Sequence, residues 1–253
     1  MLNRTAVDHP IRTHTIGRLS LALLTALAII SGCSSYQPLR PVDQQLPDGV
    51  TVRDTGDYLL LAAGDRGAKH GIIFYPGGLV EPEAYVSMLA PLAKQGPVAI
   101  LRVAFDLAVF DMEKAATVLS GADAGQADQW YLAGHSLGGA MSARFLARRG
   151  ERYPRVAGLI LVAGYPADND SLAESGYPVL SIWASEDGLA TPDEREETAE
   201  LLPDDTTYAV IEGGNHAGFG EYGPQEGDGE ATISRAEQHS QTRMFILEFL
   251  AAQ

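Results

Sequence analysis

One cysteine in 253 residues, Cys33, leaves no partner for an internal disulfide, so the fold has to be held by its core. Basic residues are also scarce: 18 Lys and Arg face 33 Asp and Glu, a formal charge of −15. Such a surface repels nucleic-acid phosphates and anionic headgroups, which argues against a nucleic-acid partner held through a basic patch. The apolar run Leu19–Ile30 has 12 residues, short of the roughly 20 that a membrane-spanning helix needs. The six histidines are dispersed and HExxH is absent, so no metal is expected, and no other cofactor is required. The acidic stretch 193–197 reads as the exposed first turn of a helix, and the GDGE segment at 227–230 lacks the ligand spacing of a calcium loop. What remains is an ordinary globular composition, 45% hydrophobic and 20% charged. At this length roughly 75% of the unfolded surface can be buried, enough for one domain with a large core. The expected partner is a neutral small molecule.

The amino terminus has a different character. Arg4, Arg12 and Arg18 precede the uncharged run LSLALLTALAII, the order of a secretory signal peptide. The run ends in Ile30-Ser31-Gly32-Cys33, which resembles a bacterial lipobox. That resemblance implies cleavage after residue 32 and a lipid on Cys33, which places the protein in the bacterial cell envelope, held to a membrane by its acyl chains. Residues 33–49 are polar and contain prolines, as expected of a tether. The organisation expected is a signal peptide over 1–32, a tether over 33–49 and a folded domain over 50–253. Loss of three arginines and one aspartate with the signal peptide takes the charge to −17.

From residue 50 short β-rich runs alternate with helical ones, the pattern of an α/β protein with a mostly parallel sheet. Strands are expected at 50–53, 58–63, 72–75, 98–103, 130–133, 159–163, 179–184 and 207–211, with helices near 82–95, 111–120, 137–149, 192–202 and 232–251. The strands are nearly continuously apolar, as they must be when helices cover both faces. Residues 166–176 read as a polar loop and 213–230 as a glycine-rich one.

The strand WYLA runs into Gly134-His135-Ser136-Leu137-Gly138 and then into the helical AMSARFLARR, so a G-x-S-x-G motif stands at a strand-to-helix turn. At such an elbow a side chain at position 134 or 138 would collide with the neighbouring strand and helix. Ser136 becomes a candidate nucleophile, and the Leu137 N–H, at the positive end of the new helix, a candidate oxyanion donor. A second donor can come from Pro76-Gly77-Gly78-Leu79 at the end of IIFY: Gly78 or Leu79, since proline has no N–H. His135, beside the serine on a sharp turn, reads as a packing residue.

A serine hydroxyl needs an imidazole to take its proton, and the imidazole needs a carboxylate to orient it. His9 and His14 lie in the signal segment, His70 precedes a strand and His239 falls in the last helix. His216 follows the strand TYAVI, at the carboxyl edge where parallel sheets present catalytic loops. Asp187 follows VLSIWA and lies between Ser136 and His216 in the chain. Glu186, adjacent, and Asp106, after VAILRV, are rivals for the carboxylate.

With these parts in order, residues 50–253 resemble the α/β-hydrolase superfamily. FYPGGLVEPEAY, AGHSLGGA, GLILVAGYPA and IEGGNHAGFGEYGPQEGD are similar to its dienelactone-hydrolase-like branch. The resemblance implies an α/β-hydrolase fold and a Ser136, Asp187, His216 triad acting on a small-molecule ester. Little chain separates LILVA from VLSIWA, so no large cap is expected. Site walls are expected from 79–85, 106–110, 165–175 and 217–222. Two other readings fit the same residues: a non-catalytic ligand-binding lipoprotein on this fold, and an acyltransferase using the same acyl-enzyme. The oligomeric state is not legible in the sequence.

Overall fold

The computed structural model of the chain describes residues 35–64 and 67–253. The expected signal peptide and Cys33 lie outside the described residues. Eight strands form one sheet: β1 Thr51–Asp54, β2 Tyr58–Ala62, β3 Ala68–Tyr75, β4 Val98–Leu101, β5 Ala127–His135, β6 Val156–Val162, β7 Val179–Ala184 and β8 Thr207–Ile211. Their order is β1-β2-β4-β3-β5-β6-β7-β8. The pairs β1–β2 and β2–β4 are antiparallel and the remaining pairs parallel.

The helices are α1 Val86–Leu89, α2 Ala115–Leu119, α3 Leu137–Arg149, α4 Pro192–Thr198 and α5 Arg235–Ala251. Alternation along each central strand builds two cores. Ile72 and Phe74 of β3, Tyr131 and Ala133 of β5, and Ile160 and Val162 of β6 face α1 and α5, where Met88, Leu89, Ile246 and Phe249 meet them. Ile73, Tyr75, Trp130, Leu132, Leu159 and Leu161 face the other way, onto Val118 of α2 and Ala143, Phe145 and Leu146 of α3. Every strand expected from the sequence forms, and the sheet is covered on both faces.

Several boundaries differ. The helix expected over 82–95 is a short α turn between two 3-10 turns, Pro82–Tyr85 and Ala90–Lys94. Pro91 has no N–H to donate, which interrupts the i to i−4 ladder at that point. β3 begins four residues early because Ala68 and His70 pair with β5 at the half-exposed end of the sheet, where the polarity of Lys69 and His70 is not a penalty. Between β6 and β7, residues 163–178 hold one 3-10 turn, Asp168–Asp170, and no cap. Asp170 is fully buried there and accepts from Arg148 at 2.7 Å, which ties this polar loop to α3.

Residues 35–49 do not behave as a free tether. Tyr36 bridges to Val80 in parallel, its N–H donating to the Leu79 carbonyl at 2.6 Å while its own carbonyl accepts from Glu81 at 3.1 Å. Leu39 N–H reaches the Glu221 carbonyl at 2.8 Å, and Arg40 pairs with the Glu221 side chain at 2.7 Å. Tyr36, Val42 and Leu46 pack against the first core. The polar, proline-bearing composition hid these three apolar footholds. No helix of the described residues is long and apolar enough to cross a membrane.

Candidate active site

β5 passes into α3 through a single residue, Ser136, at φ 52 and ψ −124. An L-residue adopts such a conformation at a cost, so surrounding contacts must enforce it. They are specific. A Cβ on Gly134 would lie 2.3 Å from the Gly138 carbonyl oxygen, and a Cβ on Gly138 would lie 2.2 Å from the Tyr75 carbonyl oxygen. Only hydrogen at both positions lets β5, α3 and the end of β3 approach this closely. Ser136 N–H donates to the Val162 carbonyl at 3.0 Å, which fixes the elbow to β6. Its hydroxyl stands at the amino terminus of α3 with no hydrogen bond of its own among the described residues.

Asp187 and His216 come together from two further strand ends. His216 Nδ1 and Asp187 Oδ2 are 2.8 Å apart, with both side chains buried. The carboxylate accepts, so Nδ1 carries the proton and the ring's lone pair lies on Nε2. The other carboxylate oxygen accepts from the N–H groups of Leu189 and Ala190 at 2.8 and 2.7 Å. Three donors thus compensate the burial of one carboxylate. The His216 ring lies 4.5 Å, centroid to centroid, from the ring of His135, the neighbour of Ser136, so the histidine loop rests on the elbow. The rivals point elsewhere. Glu186 accepts from the Ser185 hydroxyl at 3.0 Å, and the Asp106 side chain accepts from the Ser35 hydroxyl.

The two strand-end candidates for an oxyanion donor separate in the structure. Leu79 N–H already donates to the Asp106 carbonyl at 2.7 Å, with Leu79 at φ 59. Gly78 has no such engagement among the described residues, and its α-carbon faces Leu137: a Cβ there would sit 3.3 Å from the Leu137 side chain. The glycine turn after β3 thus packs on the Leu137 side chain, one residue past Ser136.

Three positioning residues escaped the sequence reading. Tyr85, fully buried, accepts from Gly77 N–H at 3.0 Å, which leaves its proton for His135 Nδ1 at 2.9 Å. One hydroxyl thereby joins the glycine turn to the elbow. Asp228 accepts from His216 and Ala217 N–H at 3.0 and 2.8 Å and from Gly188 N–H at 3.3 Å, so it staples the histidine loop to the aspartate loop. Gln238 of α5 bonds both backbone groups of Asn215, at 3.2 and 2.7 Å. An aspartate between two glycines is a turn signal that could have been read; Tyr85 and Gln238 carried none. Among the described residues no three His, Cys, Asp or Glu side chains gather as metal ligands. A cavity of about 530 Å³ lies at the opposite edge of the sheet, between His70, Gly96 and Leu250, and holds none of these groups.

Burial keeps two histidines neutral. His135 is held well below its ordinary value by desolvation and by the nearby His216, and His239 in α5 is pushed down to about 3, chiefly by burial. An unfolded histidine titrates near 6.5. Below that pH the unfolded chain binds protons that the folded chain refuses, so stability should fall as pH drops, by about 1.4 kcal/mol per pH unit for each histidine. Urea melts at pH 7 and pH 5 should show this loss, and His239→Gln should reduce its slope. Equal stability at both values would contradict the assignment.

Comparison with known proteins comes to the same place. The alpha/beta hydrolase family model matches residues 71–240, two thirds of the chain. Among curated proteins no sequence matches. Solved structures similar to this chain include the carboxylesterase CesB of Bacillus subtilis, at 16% identity and TM-score 0.55, covering 84% of this chain and 96% of its own. The esterase Est2 of Thermogutta terrifontis is similar at 16% identity and TM-score 0.56, covering 82% and 94%. A bacterial membrane phospholipase A is similar at 13% identity and TM-score 0.57, covering 90% and 91%. With β5, the serine elbow, α3 and the buried Asp187–His216 pair all within the matched span, the chain belongs to the alpha/beta hydrolase family.

Proposed function

We propose that this protein is a serine hydrolase that cleaves carboxylic esters of small molecules through an acyl-enzyme. The observation that carries the reading is the buried Asp187–His216 hydrogen bond, packed through His135 against a serine in strained elbow geometry. A structural serine has no need of such a backbone, and a structural histidine has no need of a three-donor carboxylate behind it. Similarity to a solved carboxylesterase and a solved esterase is in keeping with an ester substrate.

In this reading His216 Nε2 takes the proton of Ser136 Oγ as the oxygen attacks the ester carbonyl. Asp187 holds the ring and offsets the positive charge that forms on it. The tetrahedral oxyanion accepts from the N–H groups of Leu137 and Gly78, the first at the positive end of the α3 dipole. His216 then returns its proton to the departing alcohol, and a water repeats the sequence to release the acid. Wild-type protein should be labelled by a fluorophosphonate and Ser136→Ala should not. Asp187→Asn should lower kcat on p-nitrophenyl acetate by roughly 10⁴. Labelling that survives Ser136→Ala would remove that residue from the role, and full product formation only with an alcohol acceptor present would make the enzyme an acyltransferase.

We also propose that the protein is exported to the bacterial cell envelope and anchored by lipid at Cys33. The support is the basic and apolar leader ending in Ile30-Ser31-Gly32-Cys33. Cells fed an alkyne fatty acid should incorporate it into the wild-type chain and not into Cys33→Ala. Native protein that retains residues 1–32 would contradict the anchor.

A further inference from the structure

The loop after β4 holds two phenyl rings in solvent. Phe105 is 80% exposed and Phe110 67%, their rings edge to face at 6.1 Å, with Val109 beside them at 41%. This is not a slack segment. Ala108 beneath them is fully buried, and a chain of turns fixes the loop, with Leu107 N–H on the Ala104 carbonyl at 3.0 Å and Phe110 N–H on the Leu107 carbonyl at 3.0 Å. Phe105 and Asp106 are consecutive non-glycine residues at φ 58 and φ 54. A left-handed pair without glycine is strained backbone, and here the strain holds a large apolar side chain out into water, the reverse of what folding alone favours.

The loop also belongs to the site. The Asp106 carbonyl holds Leu79 N–H at 2.7 Å, and Leu107 lies against Gly78. Anything that covers the two rings therefore sits at the rim of the proposed oxyanion region. On the loop after β7, two residues past Asp187, Leu189 is also 36% exposed at the carboxyl edge of the sheet.

We propose that the Phe105, Val109 and Phe110 knuckle seats the enzyme on a lipid surface of zwitterionic or neutral headgroups, so that its esters are those of amphiphiles presented at that surface. The proposal rests on the hydrolase reading. Three features choose a lipid surface as the occupant. The rings protrude, and a fluid acyl layer can surround protruding rings where a single substrate chain cannot. The flanking Asp106 and Asp111, on a chain of charge −15, disfavour anionic headgroups and tolerate zwitterionic ones. Finally, the described chain starts on this loop, with the Ser35 hydroxyl donating to the Asp106 carboxylate. Cys33, where lipid is expected, precedes Ser35 by two residues, roughly 7 Å of chain at full extension. A lipid on Cys33 would therefore be tied, within two residues, to a side chain bonded to the loop that carries the knuckle.

The native tryptophans, Trp130 and Trp183, are both buried, so an added surface tryptophan gives a clean signal. Full-length Phe110→Trp should shift its emission to the blue on addition of phosphatidylcholine vesicles, while Tyr208→Trp, at an exposed position on β8, should not. Phe105→Ser with Phe110→Ser should cut turnover of a vesicle-borne long-chain ester at least tenfold and leave kcat/KM on monomeric p-nitrophenyl acetate within twofold. No shift at position 110, an equal shift at position 208, or an equal loss on both substrates would overturn the proposal. Absence of any ester turnover by wild-type protein would instead count against the hydrolase reading, and the emission shift would still decide the docking.

Discussion

Everything at this site depends on how closely one helix can start beside the strand that precedes it. The turn at Ser136 leaves no connecting loop, so α3 begins within van der Waals range of β5 and of the end of β3. That approach is possible only where positions 134 and 138 carry hydrogen. Its products are chemical. Ser136 stands at the carboxyl edge of the sheet, α3 starts at once beside it, and the glycine turn after β3 is brought against Leu137. A methyl group at either glycine would undo all three at once, since each contact at risk is to backbone, which cannot rotate away.

The histidine and aspartate arrive by longer loops, and the structure spends many polar contacts on holding those loops still. Asp228 bonds to both of them, Gln238 clamps Asn215 from α5, and Asn215 donates onward to the Gly229 carbonyl at 2.8 Å. Behind the elbow Tyr85 links the glycine turn to His135, and Tyr222 packs against Tyr85 with ring centroids 6.4 Å apart. Chain segments far apart in sequence are thereby locked into one rigid block around Ser136. In the proposed reaction such contacts would leave little reorganisation, because the groups that act are already held in place. The segment 35–49 adds to the same block, since Tyr36 pairs beside Val80 and Arg40 holds Glu221.

Much of this was legible in the amino-acid order because the signals were local. Short runs of four to six residues mark the strands, and G-x-S-x-G between a strand and a helix marks the elbow. That Asp187 and His216 could meet was legible because each follows a strand at the edge where such sheets place their loops. What stayed hidden depends on contacts across the chain. Whether Gly78 or Leu79 offers a free N–H is decided by the Asp106 carbonyl, about thirty residues away in sequence. Tyr85 looked like one more aromatic in a helical stretch, and Asp228 like part of a flexible, glycine-rich loop. Residues 35–49 read as a tether because three apolar contacts are outnumbered there by polar residues and prolines. Phe110 reads as part of a wall of the site, yet it and Phe105 stand exposed on a loop whose backbone conformation composition does not reveal.

The proposed acyl transfer requires one geometry, with the Ser136 hydroxyl, the Gly78 and Leu137 amides and His216 gathered around a single carbonyl. A crystal structure of the wild-type chain after reaction with a fluorophosphonate tests it most directly. Phosphorus should be bonded to Ser136 Oγ, with the phosphonyl oxygen about 2.7–3.1 Å from the N–H groups of both Gly78 and Leu137. An adduct on another residue, or a phosphonyl oxygen turned away from both amides, would contradict it.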